Sequence, residues 1–186
     1  RNTLNNNQKI FSIDNVKDIP WNLILLGVAF STLIMISNSY AGIFLNEQGL
    51  SLDMLGIVLF MFNISMALGS YLKIKFEISL MIPILAIFMF FQTNLFIQII
   101  TFLLMRILNS SYNNHFYSKF NMSIEKNRAV LWSAYNLFIS ISFMVADFLA
   151  GAFADNFSIK SNYLIFGIQA LFCLGFYLFL NRGERF

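Results

Sequence analysis

The chain has 186 residues, of which 58% are hydrophobic and 11% charged, with a mean hydropathy of +0.69 and a net charge of +3. Soluble domains carry roughly 25% charged residues, so this balance excludes an ordinary soluble protein and points to one embedded in lipid. A single cysteine, Cys173, sits in an apolar run and supports neither a disulfide framework nor a Cys-ligated metal site, so no metal or cofactor is expected.

Residues 1–20 read as an Asn-rich cytoplasmic segment, partly disordered or lying at the interface, that ends at an interfacial Trp21. This stretch is polar and starts at Arg1 rather than Met, so no cleavable signal peptide is expected and the chain reads as a fragment. An apolar helix needs about 20 residues to cross a hydrocarbon core about 30 Å thick. Six segments qualify: Trp21–Leu45, Leu52–Leu72, Phe76–Phe91, Leu95–Tyr117, Arg128–Phe153 and Tyr163–Leu180. The third is the shortest and carries Pro83. Together they form a bundle over residues 21–181, followed by a tail at 182–186.

Basic residues set the orientation. Arg1, Lys9, Lys17, Lys73, Lys75, Lys119, Lys126, Arg128, Arg182 and Arg185 fall at the termini and the even-numbered connections, and the other connections hold Lys160 alone. The richer side is expected to be cytoplasmic, with both termini on it, in a multi-pass protein of the cell membrane. In such a chain the placement of Lys and Arg carries more than their sum, and no nucleic-acid partner is expected.

Polarity is shared unevenly among the spans. The third and sixth carry almost no polar side chains and are expected to face lipid. In the fifth, Ser133, Asn136, Ser140 and Asp147 form one polar stripe. Arg106, Asn109, Ser110, Asn113 and Tyr117 share a face of the fourth, as do Ser31, Asn38 and Gly42 of the first. In the second, Gly56, Asn63 and Ser70 recur every seven residues, a face suited to close helix packing. The spans fall into two groups of three, 21–91 and 95–180, each ending in an apolar helix. An odd number of spans per group inserts the second group from the opposite side, which is the inverted-repeat arrangement of secondary transporters.

The segment EKNRAVLWSAYNLFISISFMVADFLAGAFAD opens a helix at Arg128-Ala129, places Ser133 one turn on and closes with Gly151 and Asp155. It resembles the eleventh helix of major facilitator superfamily transporters, nearest to bacterial efflux members, in which Arg-Ala-Thr-x-x-Ser opens that helix. Val130 and Trp132 depart from that pattern, and GSYLKIKFE is a degenerate form of the family's cytoplasmic Gly-x-x-x-Asp-Arg signature. The resemblance implies an all-α membrane protein. Its six transmembrane helices would form two inverted three-helix repeats, half of a twelve-helix transporter, with residues 1–20 in the central loop. It further implies that the third helix of each repeat is peripheral, that Arg128 makes a structural or gating contact, and that an amino-terminal six-helix half is a partner. The implied function is secondary transport of small molecules, by proton-coupled efflux.

Arg106 is the sharpest single feature. An arginine at helix centre costs roughly 2.5–3.5 kcal/mol on insertion scales, so it is expected to face a watery cavity or to meet a carboxylate. Asp147 is the carboxylate available, since the two residues lie roughly 17 Å and 12 Å from the outer ends of their helices, at about 1.5 Å per residue. The pair is expected to bind substrate or to couple its movement to a proton, and the alternative is a buried pair that fixes helix packing. Asn38, Asn109, Asn113, Asn136 and Ser140 are further candidates for the substrate path, and Asn63 for a gating or structural contact. His115 is expected at the interface. No paired catalytic Asp and no Ser-His arrangement supports an enzyme. An alternative function is a six-helix substrate-binding membrane subunit of a vitamin importer, which would need an energising partner.

Overall fold

The computed structural model describes residues 20–72, 74–123 and 128–180, and every element among them is a helix. These are α1 (Trp21–Glu47), α2 (Leu52–Tyr71), α3 (Phe76–Ser79), α4 (Ile82–Phe91), α5 (Leu95–Ser123), α6 (Arg128–Asn156) and α7 (Ile159–Leu180). Of these, α1, α2, α5, α6 and α7 are long and apolar enough to cross a membrane. The expected segment 1–20, apart from Pro20, and the tail 182–186 lie outside the described residues, as do Lys73 and Lys126.

Local chemistry sets the helix ends. α1 runs on to Glu47 and closes in a Schellman motif. Gly49 takes φ +95° there, its N–H donates to the Asn46 carbonyl at 2.9 Å, and the Leu50 N–H donates to the Leu45 carbonyl at 3.0 Å. Leu45 and Leu50 are both buried, which supplies the apolar contact that accompanies this turn. Asn94 caps α5, its Oδ1 accepting from the N–H groups of Phe96 and Ile97 at 3.0 and 3.3 Å.

The third span is not one helix. It breaks at Leu80–Met81 into α3 and α4. Pro83 has no N–H to donate to the Ser79 carbonyl one turn back, and its ring would crowd that carbonyl, so the helix restarts with proline near its beginning.

α1 is the most enclosed span and α6 the least. α1 and α5 stand in the middle. α2 packs mainly on α5 and α6 mainly on α1, while α4 and α7 pack on each other behind them and on α5 and α1 respectively. α4 and α7 turn apolar faces outward, with Ile84, Phe88 and Phe91 on one and Ile168, Phe172, Phe176 and Phe179 on the other. Their opposite faces are firmly packed, with Gly167 of α7 against Pro83 and Ile87 of α4.

The expected packing face of α2 is corrected. Gly56, Asn63 and Ser70 are exposed, and the buried stripe is Val58, Phe62, Ser65 and Gly69. Gly69 decides this, because it is where the backbones of α2 and α5 come closest: a Cβ built there would lie 2.2 Å from the Ile107 carbonyl oxygen. Ser70, at the edge of this contact, hydrogen-bonds to Ser110 of α5.

Candidate functional site

Arg106 projects from α5 a little over a third of the way from the N-terminal end of a helix about 43 Å long, at about 1.5 Å per residue over 29 residues. It is half-buried, and its surroundings come from three other helices. The guanidinium stands over the Phe62 ring of α2, 5.2 Å from its centroid, and its Nη1 donates to the Met66 sulfur at 3.7 Å. Beside it a half-open recess, about 230 Å³ with its mouth, is lined by Ile34, Ser37 and Asn38 of α1, Ile82 of α4, and Phe102, Met105, Arg106 and Asn109 of α5.

The expected ion pair is not formed. Asp147 is exposed on α6, within electrostatic reach of Tyr40 of α1 rather than of Arg106. The reason lies in the packing order: α6 docks on α1 and α7, whereas Arg106 turns toward α2. The other described carboxylates, Glu47, Asp53, Glu77 and Asp155, are exposed as well, and none pairs with Arg106. A cation–π contact is worth about 1–2 kcal/mol and a thioether is a weak acceptor, so together they offset only part of the insertion cost.

The polar groups around Arg106 are incompletely matched. The Ser37 hydroxyl is buried on the recess without a hydrogen-bond partner, in contrast to Thr32, whose Oγ1 donates back to the Val28 carbonyl at 2.7 Å. The Tyr163 hydroxyl of α7 is also buried and unpartnered, within electrostatic reach of Arg106. Asn109 is buried and its Oδ1 accepts from Asn113 Nδ2 at 3.1 Å.

Of the candidates read from sequence, the structure brings Arg106, Asn38 and Asn109 together at the recess, with Asn113 one turn beyond. Asn136 and Ser140 lie apart on the exposed face of α6, where the Ser140 hydroxyl donates to the Asn136 carbonyl at 2.9 Å. Arg128 is exposed at the start of α6, and Asn63 is exposed on α2. Ser37, Phe62, Met66 and Tyr163 were not singled out by sequence. Ser37 carried a usable signal, standing three residues after Ile34 and next to Asn38 on one face of α1; the others carried none.

At the basic end of the bundle, His115 Nε2 and Ser111 Oγ both meet the Ile74 carbonyl, at 2.6 and 3.2 Å, and pin the connection between α2 and α3 onto α5. His115 is half-buried against Phe76, nearly two helical turns past Asn109 of the recess. Among the described residues no three His, Cys, Asp or Glu side chains gather as a metal site. The arrangement is suited to binding a hydrogen-bond acceptor or an anion, since Arg106 can only donate and the unpartnered Ser37 hydroxyl can donate as well. No protein-family model, curated protein or solved structure matches this chain.

Proposed function

We propose that this chain is the carboxyl-terminal six-helix half of a secondary transporter of the major facilitator type, which moves small molecules outward in exchange for protons by alternating access. The observation that carries the reading is a half-buried arginine on a largely apolar recess, well in from the ends of a helix long and apolar enough to cross a membrane. Ionisable groups at that depth are expensive, and they mark solute or ion paths.

Packing partners support the two-repeat organisation. Exchanging α1 with α5, α2 with α6, and the broken third span with α7 turns the α2–α5 contact into α6–α1 and the α1–α7 contact into one between α5 and the third span, and all of these occur, whereas the α6–α7 contact has no counterpart of like extent between α2 and the third span. The polar stripe Ser133, Asn136, Ser140 and Asp147 faces outward from α6, as it would if a second six-helix half covered it and enclosed a path. In this reading Asp147, beside Tyr40, is the proton-carrying group, Arg106 is a solute contact, and both termini are cytoplasmic in the cell membrane.

The experiment is proton flux into proteoliposomes loaded with a pH-sensitive dye, driven by added solutes across an imposed gradient. Solute-dependent flux is expected, and it should fall away in Asp147→Asn. Absence of flux for every solute class, with protein correctly inserted, refutes the reading. One observation favours the alternative of a vitamin-importer subunit: the recess is built wholly within these six helices. Uptake that requires an ATP-hydrolysing partner and ignores the proton gradient would select it.

A further inference from the structure

Two independent features of the recess ask for the same kind of ligand. The first is charge. Arg106 keeps a fixed positive charge whose protein contacts are an aromatic face and a sulfur, neither of which satisfies a guanidinium fork that matches the geometry of a carboxylate. The second is the hydroxyl of Ser37, a residue only 5% exposed and on the recess wall, which lacks the back-bond to its own helix that its neighbour Thr32 makes. A buried donor left unmatched is costly, and such groups in native structures are explained by a ligand, a water or a functional role.

The rest of the wall limits what the ligand carries besides its charge. Ile34, Ile82, Phe102 and Met105 are apolar and surround the polar groups. The enclosed part has room for about one water-sized group, with the remainder of the recess open. One carboxylate oxygen fits the enclosed part, and the rest of the carboxylate with a short hydrocarbon body lies in the open part against the apolar wall. A cationic solute would meet Arg106 with no described carboxylate near it to offset the repulsion.

We propose that the recess between α1, α4 and α5 binds a small apolar organic monocarboxylate, with Arg106 holding the carboxylate, Ser37 donating its hydroxyl to it, and the carbon body lying against Ile34, Ile82, Phe102 and Met105. That this anion is the transported solute rests on the transporter reading. The binding site itself does not.

The probe is benzoate, and its uncharged counterpart of nearly the same shape is benzamide. Titration calorimetry on the purified full chain in detergent is expected to show saturable benzoate binding, at least tenfold tighter than benzamide. Arg106→Gln should weaken benzoate by tenfold or more. Arg106→Lys should retain part of the affinity, because it keeps the charge and loses the fork. Ser37→Ala should weaken benzoate several-fold and leave benzamide nearly unchanged. Gln169→Ala, exposed on α7, serves as the unaffected control. No saturable benzoate binding, equal binding of benzoate and benzamide, or undiminished binding in Arg106→Gln each overturns the proposal. If Arg106→Gln does not fold, the benzoate–benzamide ratio in the unaltered protein and in Ser37→Ala decides alone. Proteoliposome flux separates this result from the function: benzoate binding without any solute-driven proton flux keeps the site and removes the transporter. Flux of neutral solutes that Arg106→Gln leaves unchanged, with no benzoate binding, does the reverse.

Discussion

Replacing Gly69 by alanine tests whether α2 and α5 meet backbone to backbone. The new Cβ would stand 2.2 Å from the Ile107 oxygen and 2.8 Å from its carbonyl carbon and Cα. Ordinary contact begins near 3.4 Å, and the crowded atoms are main chain, so no rotamer change relieves them. The helices would have to part by roughly 1 Å, at an overpacking cost of about 1–3 kcal/mol. Alanine regains about 1 kcal/mol through its better helix propensity, which leaves a net loss of about 0–2 kcal/mol. Parting the helices also strains the Ser70–Ser110 hydrogen bond and draws Phe62 and Met66 away from Arg106. Gly56→Ala is the matched control on the same helix, because a Cβ there meets nothing within 4 Å. Thermal unfolding in detergent should place Gly69→Ala up to about 8 °C below the unaltered protein, and clearly below Gly56→Ala, which should be level with the unaltered protein or above it. If the two variants melt together, the close approach of α2 and α5 is wrong, and the surroundings assigned to Arg106 fall with it.

Removing both donors to the Ile74 carbonyl, in Ser111→Ala with His115→Phe, should cost about 1–3 kcal/mol and speed amide exchange in the connection between α2 and α3, read by hydrogen-exchange mass spectrometry. Unchanged exchange there would mean that these bonds do not hold it. Asp147→Asn is expected to abolish proton coupling while leaving benzoate affinity within twofold, since Asp147 and Arg106 do not touch; a tenfold change in affinity would show that they act as a unit. Cysteine scanning checks the orientation. Cys173 is buried and should give little background, Asp53→Cys should react with an impermeant thiol reagent from outside intact cells, and Lys126→Cys should react only after permeabilisation. The opposite pattern inverts the topology.

Hydropathy and the basic asymmetry were legible because lipid imposes them one segment at a time. A span must be apolar over its whole length, and its flanking charges respond to the membrane whatever the neighbouring helices do. The outward polar stripe of α6 was legible for a related reason: helical periodicity fixes which residues share a face. It does not fix what that face meets. In α2 both Gly56–Asn63–Ser70 and Phe62–Gly69 repeat every seven residues, and only the approach of the α5 backbone at Ile107 selects the second. The partner of Arg106 escaped the sequence in the same way. Depth along two helices made Asp147 reachable, but depth says nothing about the order in which helices are packed. With α6 docked on α1 and α7, and Arg106 turned toward α2, the guanidinium meets Phe62, Met66 and a recess instead of a carboxylate. Each sequence segment carries its own solvent preference and its own faces, whereas a site between helices depends on rotations and neighbours that exist only once the bundle has formed.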